Sequence, residues 1–211
     1  MQSIPLWPVL MYNFEWDDHQ ANQEELRQLC YSLEKDNYIS HVAPDAKSGL
    51  YESGFDFITV DNPAVQSFAE WVKGCFFQAA AHANKPYWPA GMNVGIDIHE
   101  SWCHITRNGG YHEMHVHPNS SWSAIYYLAP GDADPSKKSG VNRFFTPRTN
   151  MYSDAGTAWL SSTTSIDIQP AEGVLIVFPS WLPHSAVAYH GDADRIVIAL
   201  NCRINRLPDV A

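Results

Sequence analysis

Past residue 90 the apolar residues stop recurring every three or four positions and begin to alternate, with turn residues breaking the alternation at short intervals. Alternation sends successive side chains to opposite faces, so the pattern reads as strands. The strands expected are 93–99, 101–107, 121–128, 141–145, 165–168, 174–178, 185–189 and 195–201. Gly109-Gly110, Pro118-Asn119, Pro130-Gly131, Ala171-Glu172-Gly173 and Gly191-Asp192 punctuate them. Many short strands after helices point to a double-sheet jelly roll with the helices on one outer face.

Two helices are expected ahead of the strands. Asp18, Asn22 or a neighbour caps the first, in which Leu26, Leu29, Cys30 and Leu33 recur at helical spacing. Asn62 caps the second and Pro63 takes its first position, with Val65, Phe68, Ala69, Val72, Phe76 and Ala79 on the buried side. Ser48 to Gly54 reads as a short strand or loop. The expected organisation is one domain over 1–211, a helical elaboration (1–90) followed by a β core (91–211). The Ser-, Thr- and Gly-rich stretch from Asn150 to Thr164 is the candidate lid.

Twenty-three acidic against thirteen basic residues give a net charge of −10, which repels phosphate and disfavours nucleic acid as a partner. No apolar run, Val174 to Phe178 among them, is long enough to cross a bilayer. Pro5, Pro8 and the absence of any basic residue before Arg27 argue against a signal peptide, so a cytoplasmic location is expected. The four dispersed cysteines, Cys30, Cys75, Cys103 and Cys202, read as buried thiols.

The chemistry concentrates in histidines. In Tyr111-His112-Glu113-Met114-His115-Val116-His117 an extended backbone lets His115 and His117 face one space, while His112 falls on the opposite side unless the chain bends. Glu113 shares their parity and is the rival ligand. A jelly roll would bring the distant His184 to the same mouth, and three imidazoles on one side suit iron, zinc, copper or nickel with positions left open. Arg195 opens an apolar strand on the same face as Val197, Ala199 and Asn201, where a guanidinium needs an anionic partner. It either clamps a carboxylate ligand or pairs with Asp192 or Asp194. His104, on one strand face with Trp102 and Thr106, is either a pocket residue or an interior histidine. Asn119, Ser121 and Ser123 are candidates to orient ligands; Tyr111, Trp122, Trp181 and Tyr189 are candidates for a substrate mouth or the core. His19, His41, His82, His99 and His190 read as bystanders.

Taken in order, Gly109 to His117, Ser123 to Leu128, Pro170 to His184 and Arg195 onward resemble the 2-oxoglutarate and Fe(II)-dependent oxygenases. The prolyl-hydroxylase-like branch is nearest, with a group of small bacterial and phage proteins of that superfamily nearer still. The resemblance covers roughly residues 100 to 203. It implies a double-stranded β-helix, with His115 and His184 matching metal ligands and Arg195 the residue binding the far carboxylate of 2-oxoglutarate. Tyr127 matches a tyrosine that bonds the same carboxylate. His117 stands where most of the superfamily has Asp or Glu; the small-protein group carries histidine there too. The implied activity is oxidation of a small-molecule or peptide substrate by O2 and 2-oxoglutarate, with succinate and carbon dioxide as coproducts. A three-histidine cupin-type dioxygenase that uses no cosubstrate, and a metal- or small-ligand-binding module without turnover, are the alternatives.

Overall fold

The computed structural model of the chain describes residues 8–39, 47–147, 155–156 and 164–208. The candidate lid lies almost wholly outside them, as does His41. The elements are β1 (Tyr12–Glu15), α1 (His19–Lys35), β2 (Lys47–Glu52), α2 (Pro63–Asn84), β3 (Val94–His115) and β4 (Trp122–Ala129). They continue with β5 (Asn142–Phe145), β6 (Ser165–Ile168), β7 (Val174–Pro179), β8 (His184–Ala186) and β9 (Arg195–Arg206). Asn62 caps α2 as expected, its side-chain oxygen accepting from the amides of Ala64 and Val65 at 2.8 and 3.1 Å. Asp18 sits at the start of α1 but its side chain makes no capping bond.

All named strands pair antiparallel in the order β1-β7-β4-β9-β3-β8-β5-β6, with β2 also on β3. β3 joins the two halves of this curled sheet, pairing with β9 from Val94 to Thr106 and with β8 at His112 and His115. The alternation predicts separate strands over 93–99 and 101–107 followed by a glycine turn. Instead one strand runs through, with a register shift between Ile98 and Glu100 and another between His112 and His115. Gly109-Gly110 does not end it, because Gly110 lies flat against β2: a Cβ there would fall 2.3 Å from the carbonyl oxygen of Gly49. The missing side chain allows close backbone approach, as at a bulge.

β4, β7 and β9 are buried on both faces, which is why they read as nearly continuous apolar runs. Ala124, Tyr126, Leu128, Leu175, Val177, Ile196, Ile198 and Leu200 face the helices, meeting Leu26 of α1 and Val65, Phe68, Val72 and Phe76 of α2. The alternate residues Ile125, Tyr127, Ile176, Phe178 and Val197 face inward with Phe144 and Leu182. The functional candidates lie on this inner side. No helix among the described residues is long and apolar enough to cross a membrane.

Candidate metal centre

His115 and His184 are directly opposed in the β3–β8 register, so backbone pairing itself brings their rings together, 4.3 Å between centroids and tilted 55° to one another. His117 lies just beyond β3, held by its amide donating to the Ser180 carbonyl at 2.9 Å. Its ring is 5.0 Å from His115 and 5.1 Å from His184. One nitrogen from each of the three imidazoles lies within 4.8 Å of the others. The register shift between His112 and His115 bends the strand, so His112 stacks on His115 at 4.0 Å and lines the same cavity despite its parity. The same bend leaves Glu113 exposed, and it contributes only its backbone carbonyl.

That carbonyl accepts from His115 Nδ1 at 2.8 Å, and the Leu182 carbonyl accepts from His184 Nδ1 at 2.9 Å. A carbonyl cannot donate, so both Nδ1 atoms carry the proton and both Nε2 lone pairs are free for a metal. Burial pushes all three imidazoles toward the neutral form. The pKa of His115 is lowered and that of His184 lies well below the usual range, each chiefly by desolvation, and His117 is pushed down to about 3 by burial and then by His115. Neutral, oriented and convergent imidazoles fit a divalent transition metal.

A pH dependence follows. In the unfolded chain these histidines titrate near pH 6.5, while in the folded metal-free protein they stay neutral further down. Below that value the unfolded state binds more protons, so stability falls as pH falls. The urea midpoint of metal-free protein is expected to drop between pH 7 and 5.5, with a smaller drop in the His117→Gln variant; equal slopes in both would contradict the burial argument.

Across the cavity from this cluster lies Arg195, 2% exposed. Asp194, one of its two candidate partners, pairs with Arg107 instead, and among the described residues no carboxylate reaches Arg195. Its Nη2 donates to Asn142 Oδ1 at 2.8 Å, and its Nε has no partner among the described residues. Tyr127 hydroxyl donates to the same Asn142 oxygen at 3.0 Å, and its ring lies 5.8 Å from the guanidinium carbon. Burial lowers the Arg195 pKa and raises that of Tyr127. Gly140, at φ +69°, covers the arginine stem closely enough that a Cβ would meet Arg195 Cδ at 3.2 Å. A buried cation with an open donor fits an anionic carboxylate ligand.

Trp102 and His104 line the cavity from β3, and His104 Nε2 lies 2.7 Å from Glu52 Oε2 of β2. Ser123 accompanies Ser180 and Asn201 in a buried polar group beside His117. Trp122 faces the helix core, Tyr189 is buried and Trp181 is exposed. His19 is a structural link, bonded to Tyr126 and Glu172, and His82 meets Tyr12. Asn142, Glu52 and Glu100 were not singled out from sequence. Asn142 was reachable, since alternation with Phe144 puts it on the inner face; Glu52 depends on a distant strand pairing that no local pattern reveals.

The family described as "Putative 2OG-Fe(II) oxygenase" matches residues 100–201. No curated protein matches the chain in sequence. Among solved structures, a Pseudomonas putida prolyl-4-hydroxylase superposes with a TM-score of 0.56 at 16% identity, over 92% of each chain. A Trichoplax adhaerens prolyl hydroxylase, solved with a hypoxia inducible factor peptide fragment, gives 0.60 at 14% identity, over 92% of this chain and 83% of that one. HygX from Streptomyces hygroscopicus, solved with nickel, 2-oxoglutarate and hygromycin B, gives 0.57 at 13% identity, over 94% and 83%. These likenesses share the curled jelly-roll fold. The three histidines and Arg195 all lie within the matched segment, and over residues 100–201 this chain is similar to the 2OG-Fe(II) oxygenase family.

Proposed function

We propose that the chain is an Fe(II)- and 2-oxoglutarate-dependent dioxygenase that hydroxylates a small-molecule or peptide substrate. In this reading His115, His117 and His184 hold the metal, and Arg195 holds the far carboxylate of 2-oxoglutarate with Tyr127 and Asn142 beside it. The observation that carries it is Arg195, a guanidinium buried with no carboxylate of the described residues on it, on the wall of the same cavity as the triad. A metal-binding module alone has no use for that costly cation. HygX, with nickel and 2-oxoglutarate bound together, is an instance of both ligands in this fold.

Iron and 2-oxoglutarate, when bound, supply the oxidising chemistry with O2. The chain's share is placement. Arg195 and Asn142 fix one end of the keto acid so that its other end is directed at the histidines, and the apolar wall of Ile125, Phe178 and Val197 keeps water from the reacting region. His115 and His184 keep their Nδ1 protons on backbone carbonyls, so their free nitrogens point at one spot without rearrangement. Trp102, His104 and His112 form the side left for the substrate.

Titrating the Fe(II)-loaded protein with 2-oxoglutarate under nitrogen tests the reading. A visible charge-transfer band is expected to grow to saturation at one equivalent. Iron bound without any such band would favour the cosubstrate-independent dioxygenase that three histidines also permit, or a binding module.

A further inference from the structure

His117 differs from its two partners in what faces its Nδ1. His115 and His184 each meet a carbonyl, whereas His117 Nδ1 lies 3.3 Å from the side-chain nitrogen of Asn201. Asn201 is 2% exposed on the inner face of β9. Its Nδ2 also donates to Glu100 Oε2 at 2.7 Å, and its Oδ1 accepts from Ser123 Oγ at 2.7 Å. A carboxylate accepts only, so Glu100 obliges Asn201 to present its amino group on this side. The same amino group then donates to His117 Nδ1, which puts the ring proton on Nε2 and blocks the nitrogen that a metal would take.

The opposite arrangement is also built. If the Asn201 amide turns over, Oδ1 accepts from His117 Nδ1–H and Nδ2 donates to Ser123 Oγ. That hydroxyl can accept because it can donate in turn to Ser180 Oγ, 2.8 Å away. The single loss is Glu100, whose oxygen would then face an oxygen. Glu100 has somewhere to go: its side chain is 41% exposed, and His99 Nε2 lies 4.0 Å from it.

We propose that Asn201 is a positioning residue that sets which nitrogen of His117 carries the proton, and that Glu100 latches it in the orientation that withholds His117 from the metal. The inference rests on the metal-binding reading above. His115 and His184 are ligands ready in advance, and His117 joins when the latch opens.

The sign of one substitution separates this from plain electrostatics. Glu100→Gln removes a negative charge near a cation site, which by charge alone weakens metal binding. As a latch, Gln offers oxygen or nitrogen to Asn201 equally, so the bias disappears. Calorimetry with Mn(II) is expected to show Glu100→Gln binding on the order of tenfold more tightly than the parent, the scale of outer-shell effects on metal sites. Weaker or unchanged binding overturns the proposal. Nitrogen-15 spectra of the metal-free proteins read the tautomer directly. His117 is expected as Nε2–H in the parent and as Nδ1–H in Asn201→Asp, whose carboxylate can only accept. An Nδ1–H parent overturns the proposal. Absence of any Mn(II) binding in the parent would refute the metal reading, and the metal-free spectra would still judge the latch.

Discussion

His184→Ala is expected to abolish stoichiometric Fe(II) binding in a protein that still folds. The ring sits between Phe144 and Phe178, 5.6 and 4.8 Å between centroids, so its loss leaves a small gap on an apolar wall and costs about 1–3 kcal/mol of stability. The metal loses one of two nitrogens that the chain holds ready, and two-coordinate protein ligation does not survive desalting. Iron content after gel filtration, read beside far-ultraviolet circular dichroism, checks both halves. His117→Ala is expected to lose iron as well, while Glu113→Ala keeps it, because the exposed Glu113 serves through a backbone carbonyl that alanine also has. Full iron occupancy in His184→Ala would refute the triad, and loss in Glu113→Ala would restore the carboxylate rival.

Arg195→Met is expected to weaken 2-oxoglutarate binding by about 2 kcal/mol or more, roughly thirtyfold, with Fe(II) affinity nearly unchanged. The melting temperature should hold or rise, since the substitution removes a buried cation that no carboxylate among the described residues offsets. A structural arginine would give the reverse, a collapsed melting temperature with keto-acid affinity intact. Arg195→Lys is not expected to restore binding, because a compact ammonium lacks the planar fork that Asn142 and a carboxylate can share. Equilibrium dialysis of the keto acid against each variant, with differential scanning calorimetry, distinguishes these outcomes.

How much of this was visible in the sequence depended on distance along the chain. Alternation alone placed Arg195, Val197, Ala199 and Asn201 on one face, and their strand does turn that face inward. The cap at Asn62 and the helix that follows rest on a few neighbouring residues, and they were legible for that reason. Parity failed at His112, because one register shift undoes a period of two. The glycine pair reads as a turn because its partner, Gly49, is far away in the sequence, and nothing local announces a backbone crossing. Glu100 and Glu52 carry no local signal for the same reason. Each looks like an ordinary surface acid until strand pairing puts Asn201 beside one and His104 beside the other.

The same reliance on remote pairing governs the order in which the protein is made. α1 and α2 close local contacts and precede every histidine of the triad in the chain. β3 meets β8 and β9 only after much of the remaining chain has been searched, and contacts of such separation form slowly. A metal ion therefore finds no assembled site on the early chain and cannot nucleate the fold. Once the sheet has closed, a bound ion stabilises the native state by mass action and acts chiefly on escape from it. On the proposed reading, a metal in this protein would be a kinetic anchor for a finished structure and not a template for an unfinished one.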